Sequence, residues 1–228
     1  MAEPILTTRL FKFLQELRRN NNREWFTENK ARYETDVKGP TVELVHQLEK
    51  PLAKAAPMLN PIAKGHGGSL MRIYRDTRFG KDKTPYKTNV GISIRHQAGK
   101  DVHAPGIYIH LDVKECFLGA GCWRPERKVL AAIRAAIDED PKAWKRARDN
   151  KPFSSEFEFV GDRLKTAPRD YSKDHPMIED LRRTDFIALA PLAQSQVISD
   201  QVVSIMIDRI KKARPLMKFL CEAIDVPY

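Results

Sequence analysis

The chain has 228 residues, of which 42% are hydrophobic and 31% charged, and its formal net charge is +10. That length and apolar share suit one folded domain with a charge-rich surface. No apolar run approaches the ~20 residues of a membrane-spanning helix, so no membrane partner is expected. The opening MAEPILTTRL lacks a basic stretch followed by an apolar block, so no secretory signal is expected. Three cysteines are too few and too odd for a disulfide framework, and a reducing, cytoplasmic compartment is the expectation.

Residues 8–19 read as an amphipathic helix, with Leu10, Leu14 and Leu17 on one stripe beside Phe11 and Phe13. Asn20, Asn21 and Asn22 end it and start the next, because asparagine tolerates left-handed backbone and caps helices. The second helix is expected from Arg23 to about Val37, stopped by Gly39. Pro40 suits the first turn of a third helix carrying Val45, Leu48, Leu52 and Ala55, with Pro51 placed to kink it. Pro57, Pro61 and the glycine-rich stretch 64–69 form a connector.

The period then changes. Segments 70–75, 89–96, 106–113 and 115–120 are short and rich in strand-forming residues. Ile107, Ile109, Leu111 and Val113 alternate with Tyr108, His110 and Asp112, as in a strand with one buried face. The last two segments are joined too tightly for a crossover, so they are antiparallel. Helices return at Pro125, with the stripe Val129, Leu130, Ile133 and Ile137, and a further helix containing Trp144 follows Pro141. A short strand at 156–160 leads into a loop with Pro168 and Pro176. A long final helix, capped by Ser199, carries Val203, Met206, Ile210, Ala213, Met217, Leu220 and Ile224, and Pro215 is placed to kink or split it. The predicted fold is α+β: a central antiparallel sheet at about 70–121, flanked by N-terminal and C-terminal helices. One domain is expected over 1–228, with helices in 1–60, the sheet and a basic motif in 61–124, and a mainly helical part in 125–228. No internal repeat is visible.

The charge is local. Residues 64–100 hold nine basic side chains against Asp76 and Asp82, so these 37 positions carry +7 and the other 191 only +3. A field concentrated in this way attracts phosphates, nucleic acid or other anions. Its centre is RIYRDTRFGKDKTPYKTN, residues 72–89. Arg72, Arg75, Arg78, Lys83 and Lys87 are the candidate ligand contacts, because arginine grips phosphate or carboxylate with a planar fork of donors. Asp76 is a counter-ion for its neighbours, a general base or a metal ligand. Gly80 and the stretch 83–85 suggest a hairpin-like loop. Tyr86 either stacks on a ligand ring or packs, and Phe79 and Tyr74 also need a place to pack.

Arg72-x-x-Arg75-Asp76-x-Arg78-Phe79, followed by Asp82-Lys83-x-x-Tyr86, resembles the signature of a bacterial family of about this length known as a domain of unknown function. The stretches FLQELRRNNNREWFTENKARYE (13–34) and FLGAGCWRPE (117–126), and the loop around Tyr171, His175 and Pro176, are similar to the same family. The resemblance implies family membership, a bacterial intracellular setting and no assigned activity.

Weaker candidates lie elsewhere. His110 and Asp112, with Tyr108 and either His103 or His96, are a conceivable metal or acid–base set, although no tight ligand spacing is present and a hydrogen-bonded histidine is the plainer reading. No cofactor is expected. Cys116, Cys122 and Cys221 lack zinc-site spacing, and Cys221 falls on an apolar helix face. Residues 119–125, GAGCWRP, with Arg124, Arg127 and Lys128, form a strand–loop–helix start; the glycines either admit a close backbone approach or, if the loop faces the arginine segment, complete an anion pocket. Glu24 and Trp25 read as a helix start with a packed ring.

Three functions follow from these residues. The first is a module that binds an anionic small molecule or nucleic acid through Arg72, Arg75, Asp76, Arg78, Lys83, Tyr86 and Lys87. The second is an enzyme acting on a phosphorylated substrate, with Asp76, His110 or Asp112 in acid–base or metal roles. The third is an internal network of arginine ion pairs. Whether the chain is an enzyme, and its oligomeric state, are left open by the sequence.

Overall fold

The computed structural model describes residues 3–78, 81–99 and 104–228. Helix α1 (Thr8–Arg19) buries Leu10, Phe11, Phe13, Leu14 and Leu17, as its spacing requires. Asn20 closes it with its backbone N–H on the carbonyls of Glu16 and Leu17. Asn22 then caps α2 (Arg23–Glu28), its side-chain oxygen accepting from Trp25 N at 2.9 Å.

The second helix does not run unbroken to Val37. Asn29 (φ −100°, ψ 10°) divides α2 from the short α3 (Lys30–Arg32). A π-helical turn, Tyr33–Lys38, follows and leads directly into α4 (Gly39–Ala55). Gly39 is therefore no stop. Its backbone is right-handed (φ −56°, ψ −56°), and its N–H reaches back five residues to the Glu34 carbonyl. A Cβ at Gly39 would sit 2.9 Å from that oxygen, so the bare backbone is what the wide turn needs. Pro40 next to it has no N–H to offer. Thr41, fully buried, sends its hydroxyl to the Val37 carbonyl at 2.6 Å. Pro51 is accommodated inside α4 without ending it.

The sheet is antiparallel throughout, in the order β1-β2-β3-β4-β6-β5. Its strands are β1 (Leu59–Asn60), β2 (Asn89–His96), β3 (Gly106–Asp112), β4 (Cys116–Cys122), β5 (Glu158–Val160) and β6 (Phe186–Leu192). Between and after them run α5 (Arg127–Glu139), α6 (Pro141–Arg148), α7 (Lys151–Ser154), α8 (Ile178–Leu181), α9 (Gln194–Val197) and α10 (Val202–Ala223). One face of the sheet carries Ile92, Ile94, Ile107, Ile109, Leu111, Leu118, Ala120, Ala188 and Ala190, all buried. Helix α10 packs there, on β4, and also meets α4, α5 and α6. The opposite face carries Gly91, Ser93 and Arg95 from β2, Tyr108 and His110 from β3, and Phe117 and Gly119 from β4. Several of these side chains are only half-buried.

Four expectations are corrected. Segment 70–75 is not a strand. It begins along the edge of β2, with Met71 N donating to Gly91 O at 2.9 Å and a single bridge Leu70↔Ile92, then leaves to pair with residues 85–87. A change of partner halfway prevents a continuous ladder. Strand β6 departs from the expectation, because FIALAPL shows no alternation and contains Pro191; it pairs with β4 on one side and β5 on the other, with Pro191 exposed. Ser199 does not cap the last helix: its hydroxyl donates to Gln196 O at 2.8 Å, and Gln201 is the N-cap. Pro215 does not split α10, which continues through it. No helix among the described residues is long and apolar enough to cross a membrane.

Candidate functional site

The basic segment folds back on itself. Arg75 N donates to Pro85 O at 2.9 Å and Lys87 N to Ile73 O at 2.7 Å, giving a small hairpin with the bridge Tyr74↔Tyr86. Phe79 and Gly80, expected near its turn, lie outside the described residues. The hairpin is held from the N-terminal helices. The Asn21 side chain donates to Tyr86 O at 2.9 Å and accepts from Tyr86 N at 3.1 Å, so one amide imitates a neighbouring strand. The Tyr86 ring is buried and stacks on Phe26, with centroids 4.1 Å apart; Tyr74 tilts against it at 5.5 Å. Tyr86 thus packs, and its ring is not presented to a ligand. We expect Asn21→Ala to cost ~1–3 kcal/mol, the range for leaving buried backbone groups unpaired, read as a lower midpoint in chemical denaturation.

The candidate cations divide into two groups. Arg75 is bound to the Asp82 carboxylate and the Thr84 hydroxyl. Arg78 forks onto Asp76 at 3.0 and 2.7 Å. Lys83 donates to the Thr77 carbonyl at 2.8 Å. These contacts are local and mostly exposed. They hold the Asp76 carboxyl below the usual carboxylate range through hydrogen bonds from Arg78, and bring Asp82 down to about 2, chiefly through Arg75. An aspartate held this way is a poor proton acceptor near neutral pH.

Arg72 and Lys87 form the second group. Neither side chain makes a hydrogen bond or an ion pair among the described residues, although the charge of Arg72 acts on Asp76. Lys87 is half-buried, and burial, then the charge of Arg72, pushes its ammonium below the ordinary lysine range. Both side chains line a cleft of about 720 Å³ with Arg95, Ser93 and the glycine loop of residues 65–69. That loop is tightly built. Ser69 N donates to Ile62 O at 2.8 Å, the Ser69 hydroxyl accepts from Ile62 N at 2.9 Å, and a Cβ on Gly68 would lie 2.5 Å from the carbonyls of both Ile62 and Lys64.

The His110–Asp112 set is not assembled as a metal or acid–base centre. Both Asp112 oxygens accept from Arg18 Nη2, at 2.8 and 2.7 Å, and Oδ1 also accepts from Lys114 N at 2.8 Å. The His110 ring stacks on Phe117 at 4.7 Å, and its Nδ1 faces the Tyr108 hydroxyl at 3.2 Å and Asn89 Nδ2 at 3.4 Å. Those donors place the remaining ring proton on Nε2. Burial keeps the imidazole below its usual value, hence neutral. His96 is on the helix-covered face, with Nε2 donating to Pro227 O at 2.7 Å, and His103 lies outside the described residues. No three metal-ligating side chains come together among the described residues.

Loop 119–125 does not join the arginine hairpin. Gly121 is level with Gly106, whereas Asn89, beside the Arg75 cleft, is level with Asp112. Six residues along a strand separate the two, or ~20 Å. Gly121 has φ 127° because a Cβ would meet Phe186 O at 2.0 Å, and Arg124 N is already bound by Asp185 Oδ1 at 2.7 Å. Close approach of the Phe186 backbone explains Gly121, and of the Leu189 side chain Gly119. Glu24 sits in the first turn of α2, and Trp25 rests against Phe13 at 5.6 Å. The cysteines form no disulfide among the described residues and are buried, and burial raises the thiols of Cys116, Cys122 and Cys221, the last to about 12.

Two residues that matter here were not legible as site residues. Arg18 and Asn21 act across 94 and 65 positions, and nothing local announces either partner.

These features define an α+β protein whose antiparallel sheet carries beside β2 a cleft lined by Arg72, Lys87, Arg95 and Asp76. The chain belongs to the family described as conserved hypothetical protein (DUF2461), whose model matches residues 9–219 and so includes the whole hairpin. No curated protein and no solved structure matches it.

Proposed function

We propose that the protein binds an anionic ligand bearing phosphate or carboxylate, with Arg72 and Lys87 as its main contacts and Arg95 at the cleft wall. The observation that carries this reading is the contrast between the two groups of cations. Arg75, Arg78 and Lys83 have partners within the hairpin. Arg72 and Lys87 share the cleft with no ion pair to either side chain, Asp76 on the same wall being held by Arg78, and Lys87 is partly removed from water. Like charges held together in this way are unfavourable until a counter-ion arrives. A bound anion supplies it. The remainder of the hairpin, with Arg75, Asp76, Arg78, Lys83 and Tyr86, sets the position of these two groups. A binding role is favoured over catalysis because Asp76 and Asp112 are both engaged by arginines. A cytoplasmic, bacterial setting accompanies the reading, supported by the family resemblance and by three cysteines that form no disulfide among the described residues.

The test is isothermal titration with inorganic pyrophosphate at low salt. Wild type binds, and Arg72→Ala and Lys87→Met each lose ~10–100-fold, from ~1.5–3 kcal/mol per hydrogen bond to a charged group. Arg78→Ala changes affinity by less than threefold. Equal losses in all three variants, or none, would contradict the assignment. Without ligand, Lys87→Met should raise the melting temperature by ~1–2 °C, because an unpaired charge is removed from a partly screened site.

A further inference from the structure

A second cavity, of about 800 Å³, lies on the sheet face that α10 does not cover. Its walls include Met71, Tyr108, Phe117, Trp123 and Ile187, with His110 beside Phe117. Met71 is 43% and Trp123 60% exposed, among the most exposed large apolar side chains described. The cavity adjoins the cationic cleft: Met71, Ser93 and Arg95 line both. Met71 also directly precedes Arg72, so one chain segment offers an apolar contact on one side and a guanidinium on the other.

The floor between them is kept low. A Cβ on Gly91 would lie 2.8 Å from the Tyr108 hydroxyl and 3.1 Å from Met71 Sδ, so Gly91 lets those two side chains meet across β2. Gly119 does the same two strands further in, on β4, where a Cβ would come within 3.0 Å of Leu189 Cδ2. The result is a shallow platform of rings and a thioether, bounded on one edge by Arg95 and on the other by Trp123. The His110 Nε2–H and the Ser93 hydroxyl are polar groups at this platform. A pocket of this volume is within the ~300–1,000 Å³ usual for small ligands.

Resting on the anion-site reading above, we infer that the ligand is a nucleotide-sized molecule that joins a phosphate to a flat aromatic ring. The phosphate sits between Arg72, Lys87 and Arg95. The ring lies on the platform, in contact with Tyr108, Met71 and Trp123. Aromatic faces accept any base, so the geometry names the class and not the base.

The experiment is a parallel titration of the full chain with inorganic pyrophosphate, ribose 5-phosphate, the four common ribonucleoside 5′-diphosphates and a single-stranded 12-mer. At least one nucleoside diphosphate is expected to bind about tenfold or more tightly than pyrophosphate, the contribution of one stacked base. Trp123→Ala and Tyr108→Ala should erase that advantage while leaving pyrophosphate affinity within error of wild type, and Trp123→Ala, at an exposed ring, should also leave the melting curve unchanged. Arg72→Ala should weaken both ligands. If pyrophosphate binds but no nucleotide binds better, the ring site is refuted and the anion site stands. If neither binds, both are refuted. A 12-mer that outcompetes every mononucleotide, with affinity falling steeply in salt, would replace the nucleotide by a nucleic-acid strand.

Discussion

Arg18→Ala should lower the melting temperature by ~5–10 °C, while Arg75→Ala should lower it by ~3 °C at most. Both arginines pair with aspartates, but the partners differ. The Asp112 side chain is only 11% exposed and is gripped through both oxygens by Arg18; the Asp82 side chain is 58% exposed. Removing Arg18 strands a charge inside the fold. One-third of Arg18 is itself exposed, so the loss is placed at ~2–3 kcal/mol, below the ~3–5 of a fully buried pair. Removing Arg75 frees a carboxylate that water solvates. Thermal melts followed by circular dichroism decide the matter. Equal losses would mean that the hairpin arginines form an internal network after all, and the cleft would lose its special status.

A larger effect belongs to Trp144. It is fully buried and touches Phe159 at 5.8 Å, Phe186 at 5.8 Å and Phe219 at 5.1 Å, tying α6 to β5, β6 and α10. Trp144→Ala should cost ~3–5 kcal/mol, or roughly 10 °C or more in melting temperature, because four elements line the resulting void. Trp144→Phe should cost less than half as much. The indole Nε1 has no hydrogen-bond partner among the described residues, so phenylalanine removes an unmet donor as it removes volume. A phenylalanine variant as damaged as the alanine one would show that the indole nitrogen is satisfied in solution.

Local periodicity made much of the fold legible. Leu10, Leu14 and Leu17 marked α1, the alternation around Ile107 marked β3, and the stripe from Met206 to Leu220 marked α10, each because one face of the element is buried. Legibility failed where tertiary structure overrode the local pattern. Strand β6 has apolar Ile187, Leu189 and Pro191 on its open face as well as Phe186, Ala188 and Ala190 on its covered one, so it does not alternate. Gly39 looked like a helix stop, but the π turn needed its missing Cβ. The 70–75 segment is extended but divides its bonds between two partners. For the site, the basic segment was visible as a charge excess. Which cations are unpaired was not, because that depends on where the chain folds. The Asp76–Arg78 contact spans two residues and is nearly local. The isolation of Arg72 with Lys87, fifteen positions away, exists only once the hairpin closes and Asn21 pins it.

The central claim is that Lys87 is a half-buried cation awaiting an anion, and its own titration tests this most directly. Below its folded-state pKa the ammonium costs the free protein stability, and that cost is relieved as pH rises towards the unfolded value. A bound anion reverses the preference and draws the proton back. NMR of the lysine side chains, assigned with Lys87→Arg and followed over alkaline pH, should show one ammonium titrating below the others. On saturation with inorganic pyrophosphate that resonance should move to a higher pKa, and pyrophosphate affinity should fall as pH rises through the free-state value. A Lys87 that titrates with the surface lysines, and does not respond to pyrophosphate, would contradict the account.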